Sequence, residues 1–195
     1  VAATEVTNKI TVLDGSYSGD QFFDGRTVEI GTADTAAEFS GYVFGGAHNN
    51  DSGDISMTFV NGSAGRVYGA LFDQEGDYTV GDISINVGEN VTLTERAGAA
   101  KVDKGSLTTG DVVIDFSGTA VPLFGGAQVW YKGSSAVHES VTINFSGNLS
   151  DVIYAAGQAM HGGSIVVNNG VTVNVTGGNR HRRIDGRRIF PQRSF

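Results

Sequence analysis

The sequence predicts an all-β, repetitive solenoid, a right-handed parallel β-helix with coils of about 28 residues. Three observations lead there. Glycine is abundant, at 29 of 195 residues, while proline occurs only twice, so the glycines punctuate many tight turns without a collagen-like period. Short Val, Ile and Phe runs are separated by Ser, Thr, Asn and Asp, the texture of half-buried strands, and no amphipathic helical stretch of about 12 residues competes. One strand pattern also returns at a nearly constant interval.

That pattern is a turn residue followed by apolar-polar-apolar-polar-apolar. It reads Asp54-Ile55-Ser56-Met57-Thr58-Phe59, then Asp82-Ile83-Ser84-Ile85-Asn86-Val87, then Asp111-Val112-Val113-Ile114-Asp115-Phe116. It continues as Ser140-Val141-Thr142-Ile143-Asn144-Phe145 and Gly170-Val171-Thr172-Val173-Asn174-Val175, with a fainter copy at Thr27-Val28-Glu29-Ile30. The starts at 27, 54, 82, 111, 140 and 170 lie 27 to 30 residues apart. Alternation with period two puts Ile83, Ile85 and Val87 on one face and Asp82, Ser84 and Asn86 on the other. A single strand of this kind cannot bury its apolar face. Stacking equivalent strands about 4.8 Å apart joins those faces into one core. Ile55, Ile83, Val112, Val141 and Val171 are expected in one inward column, and Phe59, Val87, Phe116, Phe145 and Val175 in another.

A second element runs in counterpoint. Val43-Phe44-Gly45-Gly46-Ala47 is echoed by Val67-Tyr68-Gly69-Ala70 and Leu123-Phe124-Gly125-Gly126-Ala127, and more loosely by Arg96-Ala97-Gly98-Ala99-Ala100 and Ile153-Tyr154-Ala155-Ala156-Gly157. Gly-Gly-Ala suits a place where the wall bends or meets the opposite wall closely. Leucine-rich repeats have a similar period, but their leucine ladder is missing. A β-sandwich is the alternative architecture, since regular turn signals also allow hairpins. The repeat persists in sequence as well as in spacing, which favours the solenoid.

Together the two elements resemble the passenger regions of bacterial autotransporter adhesins, over residues 27 to 178. The resemblance implies a secreted β-helix displayed at the cell surface, adhesive, and often part of a longer chain. It brings no catalytic residues. Thirteen basic and 21 acidic residues give a net charge of −8, which argues against nucleic acid as the main partner. Apolar runs last only a few residues, so no membrane-spanning helix is expected. Cysteine is absent, which excludes disulfides and thiolate metal sites. Val1-Ala2-Ala3-Thr4 reads like an end left after signal cleavage, a hint of export. A single solenoid domain is expected over 1–178. Residues 179–195 differ, holding six of the 13 basic residues and one acidic residue. This tail reads as a basic arm for an acidic partner, a cap on the last coil, or an artefact.

Stacking in register would bring Asp54, Asp82 and Asp111 into an outward column of carboxylates. Like charges that close favour Ca²⁺ or a shared proton, and a carboxylate cluster on a β-helix wall suits polysaccharide cleavage. The competing reading is turn chemistry, each Gly-Asp capping local amides. A second outward column, Asn86, Asp115, Asn144 and Asn174, reads as a hydrogen-bonded ladder, with Asp115 and Asp111 as an unsupported acid/base pair. His48, His138, His161 and His181 lack metal-ligand spacing and read as solvated loop residues. The sequons at Asn61, Asn90, Asn144, Asn148 and Asn174 are weak signals in a chain rich in Asn, Ser and Thr. Trp130 and Tyr131, beside Lys132 and Gly133 in a variable stretch, are the ligand-binding candidates; adjacent aromatics there can stack on a sugar or anchor a protein, unless one packs on the wall. Phe22-Phe23 are expected to pack over the first coil. The favoured function is a non-catalytic, adhesin-like module recognising a host or environmental glycan or protein. The alternatives are a polysaccharide lyase or glycoside hydrolase on the Asp54/Asp82/Asp111 face, or a spacer that self-associates through its solenoid ends.

Overall fold

The computed structural model describes residues 9–23, 27–120, 122–177 and 183–185. The chain winds as a parallel β-solenoid of about five turns, with no helix among the described residues. Every ladder among the described residues is parallel, including the long one between Ile55–Phe72 and Ile83–Val102. Hairpins would pair antiparallel, so the β-sandwich alternative is excluded.

A full coil has four sides. The first wall stacks Lys9–Val12, Thr27–Ile30, the starts of Ile55–Phe72 and Ile83–Val102, then Val112–Phe116, Val141–Phe145 and Val171–Val175. The second wall is short and runs from Gly15–Tyr17 through Ala37–Phe39 to Thr119–Ala120 and Asn148–Leu149. The third wall carries the glycine-rich element, from Gln21–Phe22 and Tyr42–His48 to Leu123–Val129, Val152–Tyr154 and Gln158–Ala159. Its last described strand, Arg183–Asp185, pairs with Val152–Tyr154. The fourth wall is a separate sheet of Asp77–Val80, Ser106–Thr109, Ser135–His138 and Ser164–Val167. The rest of the basic tail, His181 included, lies outside the described residues.

The register carries the predicted repeat: Ile55 pairs with Ile83, Ile83 with Val112, Val112 with Val141 and Val141 with Val171. The faint copy differs. Thr27 pairs with Ser56, two residues later than its pattern suggested, and Lys9–Val12 adds an earlier rung opposite Thr27–Ile30. That first coil is short because only four residues join Phe22 to Thr27, too few for a fourth side. The fourth wall begins at Asp77, with a single bridge from Ser52 to Val80 before it.

Both predicted inward columns face the core. Ile55, Ile83, Val112, Val141, Phe59, Val87, Phe116 and Phe145 are all buried, whereas Val171 and Val175 on the last rung of that wall are 39% and 37% exposed. Burial of each such side chain is worth about 1.5–3 kcal/mol, and stacking adds to it where Phe116 lies over Phe145 at 5.8 Å. The glycine-rich element is where the wall bends, with register shifts between Phe44 and Ala47 and between Phe124 and Ala127. A Cβ on Gly125 would lie 2.0 Å from the Ala155 carbonyl oxygen and 2.7 Å from Ile143 Cδ1. First-wall side chains fill the space that a third-wall side chain would need.

Candidate functional site

The corner between the fourth and first walls holds the aspartate column. Asp54, Asp82 and Asp111 are exposed, as the stacking required. Each serves the next coil: Asp54 Oδ1 accepts the Asp82 amide at 3.0 Å, Asp82 Oδ1 accepts the Asp111 amide at 2.8 Å, and Asp111 Oδ1 accepts the Ser140 hydroxyl at 2.7 Å. The glycines before Asp82 and Asp111 have a steric reason, because a Cβ on Gly81 or Gly110 would fall 2.2 Å or 2.1 Å from the preceding coil's Oδ1. Glu139 continues the corner, accepting from Asn168 Nδ2 at 3.0 Å and Asn169 Nδ2 at 2.6 Å. Among the described residues no three His, Asp or Glu side chains group as a metal site. On the neighbouring face, Asn144 Nδ2 donates to Asp115 Oδ1 at 2.7 Å, and Asn174 Nδ2 donates to Asn144 Oδ1 at 2.8 Å. That column is a ladder along the axis, so Asp115 is bonded within it.

Trp130 and Tyr131 sit at the corner between the third and fourth walls, and they divide the two roles expected of them. Trp130 is half-buried and stacks on His161 of the next coil, ring centroids 5.9 Å apart. Its indole Nε1 is buried without a hydrogen-bond partner. Tyr131 is 54% exposed. The corner is tied down by Trp130 N–H to the Val102 carbonyl at 2.9 Å, Ser134 N–H to the Tyr131 carbonyl at 3.1 Å, and Ser134 Oγ to the Asp103 carbonyl at 3.0 Å. His161 adopts φ 49°, a left-handed conformation that side chains seldom take.

Sequence reasoning missed the outer face of the third wall. Phe22 stacks on Phe44 at 4.9 Å, Phe44 on Tyr68 at 5.9 Å, and Phe124 on Tyr154 at 5.1 Å, a ladder interrupted only at Gly98. Phe22 is 43% exposed, sandwiched also by His48, while Phe23 packs edge-on to Phe39 in the core. Tyr68 points outward yet is fully buried, and its hydroxyl donates to buried Gln128 Oε1 at 2.8 Å. Burial pushes this phenol well above its ordinary pKa, against the opposing pull of Arg96 and Arg66. Arg66 lies 4.2 Å over the Tyr42 ring and donates from Nε to Glu95 Oε2 at 2.5 Å, with its Nη2 on the same oxygen. Arg96, one rung on and in register with Arg66, rests its guanidinium 5.7 Å from the Phe124 ring. A signal for this face was present: Arg66 stands one residue before one copy of the glycine-rich element, and Arg96 opens the next.

His138 is a correction. It was expected as a solvated loop residue, but it is fully buried on the inward face of the fourth wall. Its Nε2 accepts the Ala127 amide at 3.0 Å, at the bend of the third wall, so the proton sits on Nδ1 and faces Thr109 Oγ1 at 2.7 Å. Thr109 passes the bond on to the Gly110 carbonyl. Burial lowers the imidazole pKa to about 4. The imidazole thus supplies the acceptor that the bend denies to one amide. His48 and His161 are exposed, as expected.

No family model matches this chain, and no curated protein or solved structure matches it. Its function is read from these side chains alone.

Proposed function

We propose that the chain is an extracellular, adhesin-like binding module of a bacterial surface protein, non-catalytic, taking a glycan or protein partner at the corner of Trp130 and Tyr131. The observation that carries this is an exposed tyrosine on a corner already fixed by three hydrogen bonds and by the Trp130–His161 stack. An aromatic surface held in place loses little entropy on binding, and such residues dominate recognition energetics. The aspartate corner supports a non-catalytic reading, since Asp54, Asp82 and Asp111 each commit an oxygen to the following coil.

The test is binding of the chain to an immobilised panel of host and environmental glycans and to intact host cells. Tyr131→Ala should weaken the strongest interaction about tenfold, the scale of about 1.4 kcal/mol at an interface anchor, while leaving thermal unfolding unchanged. Unaltered binding by Tyr131→Ala would remove the corner from consideration. Release of oligosaccharide products, abolished by Asp82→Ala, would replace the binding reading with the enzymatic one.

A further inference from the structure

Two arginines stand one rung apart on the outer face of the third wall, and only one of them has a carboxylate partner among the described residues. Glu95 is taken up by Arg66, which it meets through both Nε and Nη2, and Arg66 is further covered by Tyr42. Arg96 meets no acidic group among the described residues. On its far side the next coil presents Pro122, whose carbonyl accepts the Ala97 amide. Further along the same strand, Lys101 and Asp103 pair with each other; the wall's last described strand brings Arg183 and Asp185 into register with Val152 and Tyr154. Arg96 is therefore without an ion-pair partner among the described residues, on a chain whose overall charge is −8.

The setting of Arg96 is that of a prepared anion site. Its Nε is sealed from solvent with no partner, while the residue as a whole stays partly exposed. Partial dehydration strengthens pairing with an oxyanion, and the Phe124 ring, its centroid 5.7 Å from the guanidinium carbon, flanks the fork. Tyr154, stacked on Phe124 and half-buried, supplies an aromatic surface one rung beyond, with Asp185 at the register position after it. A planar guanidinium beside an aromatic edge suits a sugar bearing a carboxylate or sulfate, which the fork meets with two parallel hydrogen bonds.

We propose that this face binds an acidic polysaccharide, with Arg96 holding an anionic group and Tyr154 lying against the sugar. The proposal rests on the reading of the chain as a glycan-binding module and specifies the charge of the glycan. Its test uses the full chain on immobilised dextran sulfate, polygalacturonate and unmodified dextran over a range of salt concentrations. Wild type should bind a polyanion and not dextran, more weakly as salt rises; the sulfated and carboxylated arms separate the two sources of the anion. Arg96→Gln should lose at least tenfold in affinity, and Arg96→Lys, which keeps the charge without the fork, should fall between. Unfolding temperatures establish that both variants are folded, and Arg96→Lys carries the test if Arg96→Gln is not. Polyanion binding that survives Arg96→Gln, as adsorption to the basic tail would, overturns the proposal. Failure of wild type to bind either polyanion also overturns it. Loss in Arg96→Gln together with unaltered binding of every glycan by Tyr131→Ala would retain the Arg96 site and reject the Tyr131 corner.

Discussion

Lowering the pH from 7 to 4 should cost this solenoid stability through His138 in particular. In the folded chain the imidazole is buried and accepts the Ala127 amide through Nε2, so it must stay neutral, and its pKa falls to about 4 from an ordinary 6.5. The unfolded chain takes up its proton near pH 6.5, the folded chain only near pH 4. Between those values the unfolded state binds more protons, so stability falls as pH falls; above 6.5 the contribution is fully present. At about 1.4 kcal/mol per unit, the window of about 2.5 units amounts to about 3 kcal/mol. Carboxylates titrate in the same range, so the measurement is the difference between wild type and His138→Leu in urea unfolding, followed by far-ultraviolet circular dichroism at steps from pH 7 to 4. His138→Leu strands the Ala127 amide and should be the less stable protein at pH 7, by about 1–3 kcal/mol. The gap should close steadily on acidification, and the protection factor of the Ala127 amide in wild type, taken against the intrinsic exchange rate at each pH, should fall with it. Parallel pH profiles for the two proteins would refute the assignment of this proton.

Gly125→Ala places a Cβ against the Ala155 carbonyl and the Ile143 side chain; a cost of about 3 kcal/mol in chemical unfolding is expected, and a neutral result would show that the third wall can shift. Asp82→Ala should lose about 1 kcal/mol because the Asp111 amide loses its acceptor, while Asp82→Asn should restore most of it. Equal losses in both variants, relieved by calcium, would point instead to a cation on the corner. Tyr68→Phe leaves buried Gln128 without its donor and should cost about 1–3 kcal/mol. In the folded protein the Tyr68 phenol should resist ionisation beyond the usual tyrosine range, which ultraviolet titration of wild type against the variant will read.

The first wall was legible because period-two alternation and a steady interval coincide there: Ile83, Ile85 and Val87 name their face without any structure. The fourth wall was not. Its inward pairs, Leu107 with Thr109 and Ala136 with His138, mix side-chain types from coil to coil, so no repeated pattern marks the strand and His138 passed for a loop residue. The aspartate column was readable as a column and amide capping as its work, but capping of the next coil and not of a local turn was not, because that depends on which amide lies above. The outer face of the third wall escaped for a related reason. Alternation assigns outward positions to solvent, whereas Tyr68 is covered by its own ladder and reaches buried Gln128 two coils away, past the gap left by Gly98. Trp130 and Tyr131 were found by type, and only the structure separates the buried ring from the presented one.

The stacked corner bonds also set how the molecule answers a pull. Asp54 to Asp82, Asp82 to Asp111 and Asp111 to Ser140 all run along the axis, as do the strand ladders and the Asn144–Asn174 bond. Tension along that axis loads these bonds coil by coil, like rungs peeled from a rope ladder. Each coil set free adds 28 to 30 residues of slack, roughly 100 Å of contour at about 3.4 Å per residue. A solenoid held at both ends would lengthen in steps under load and rewind when the load drops, absorbing a tug that would snap a rigid rod.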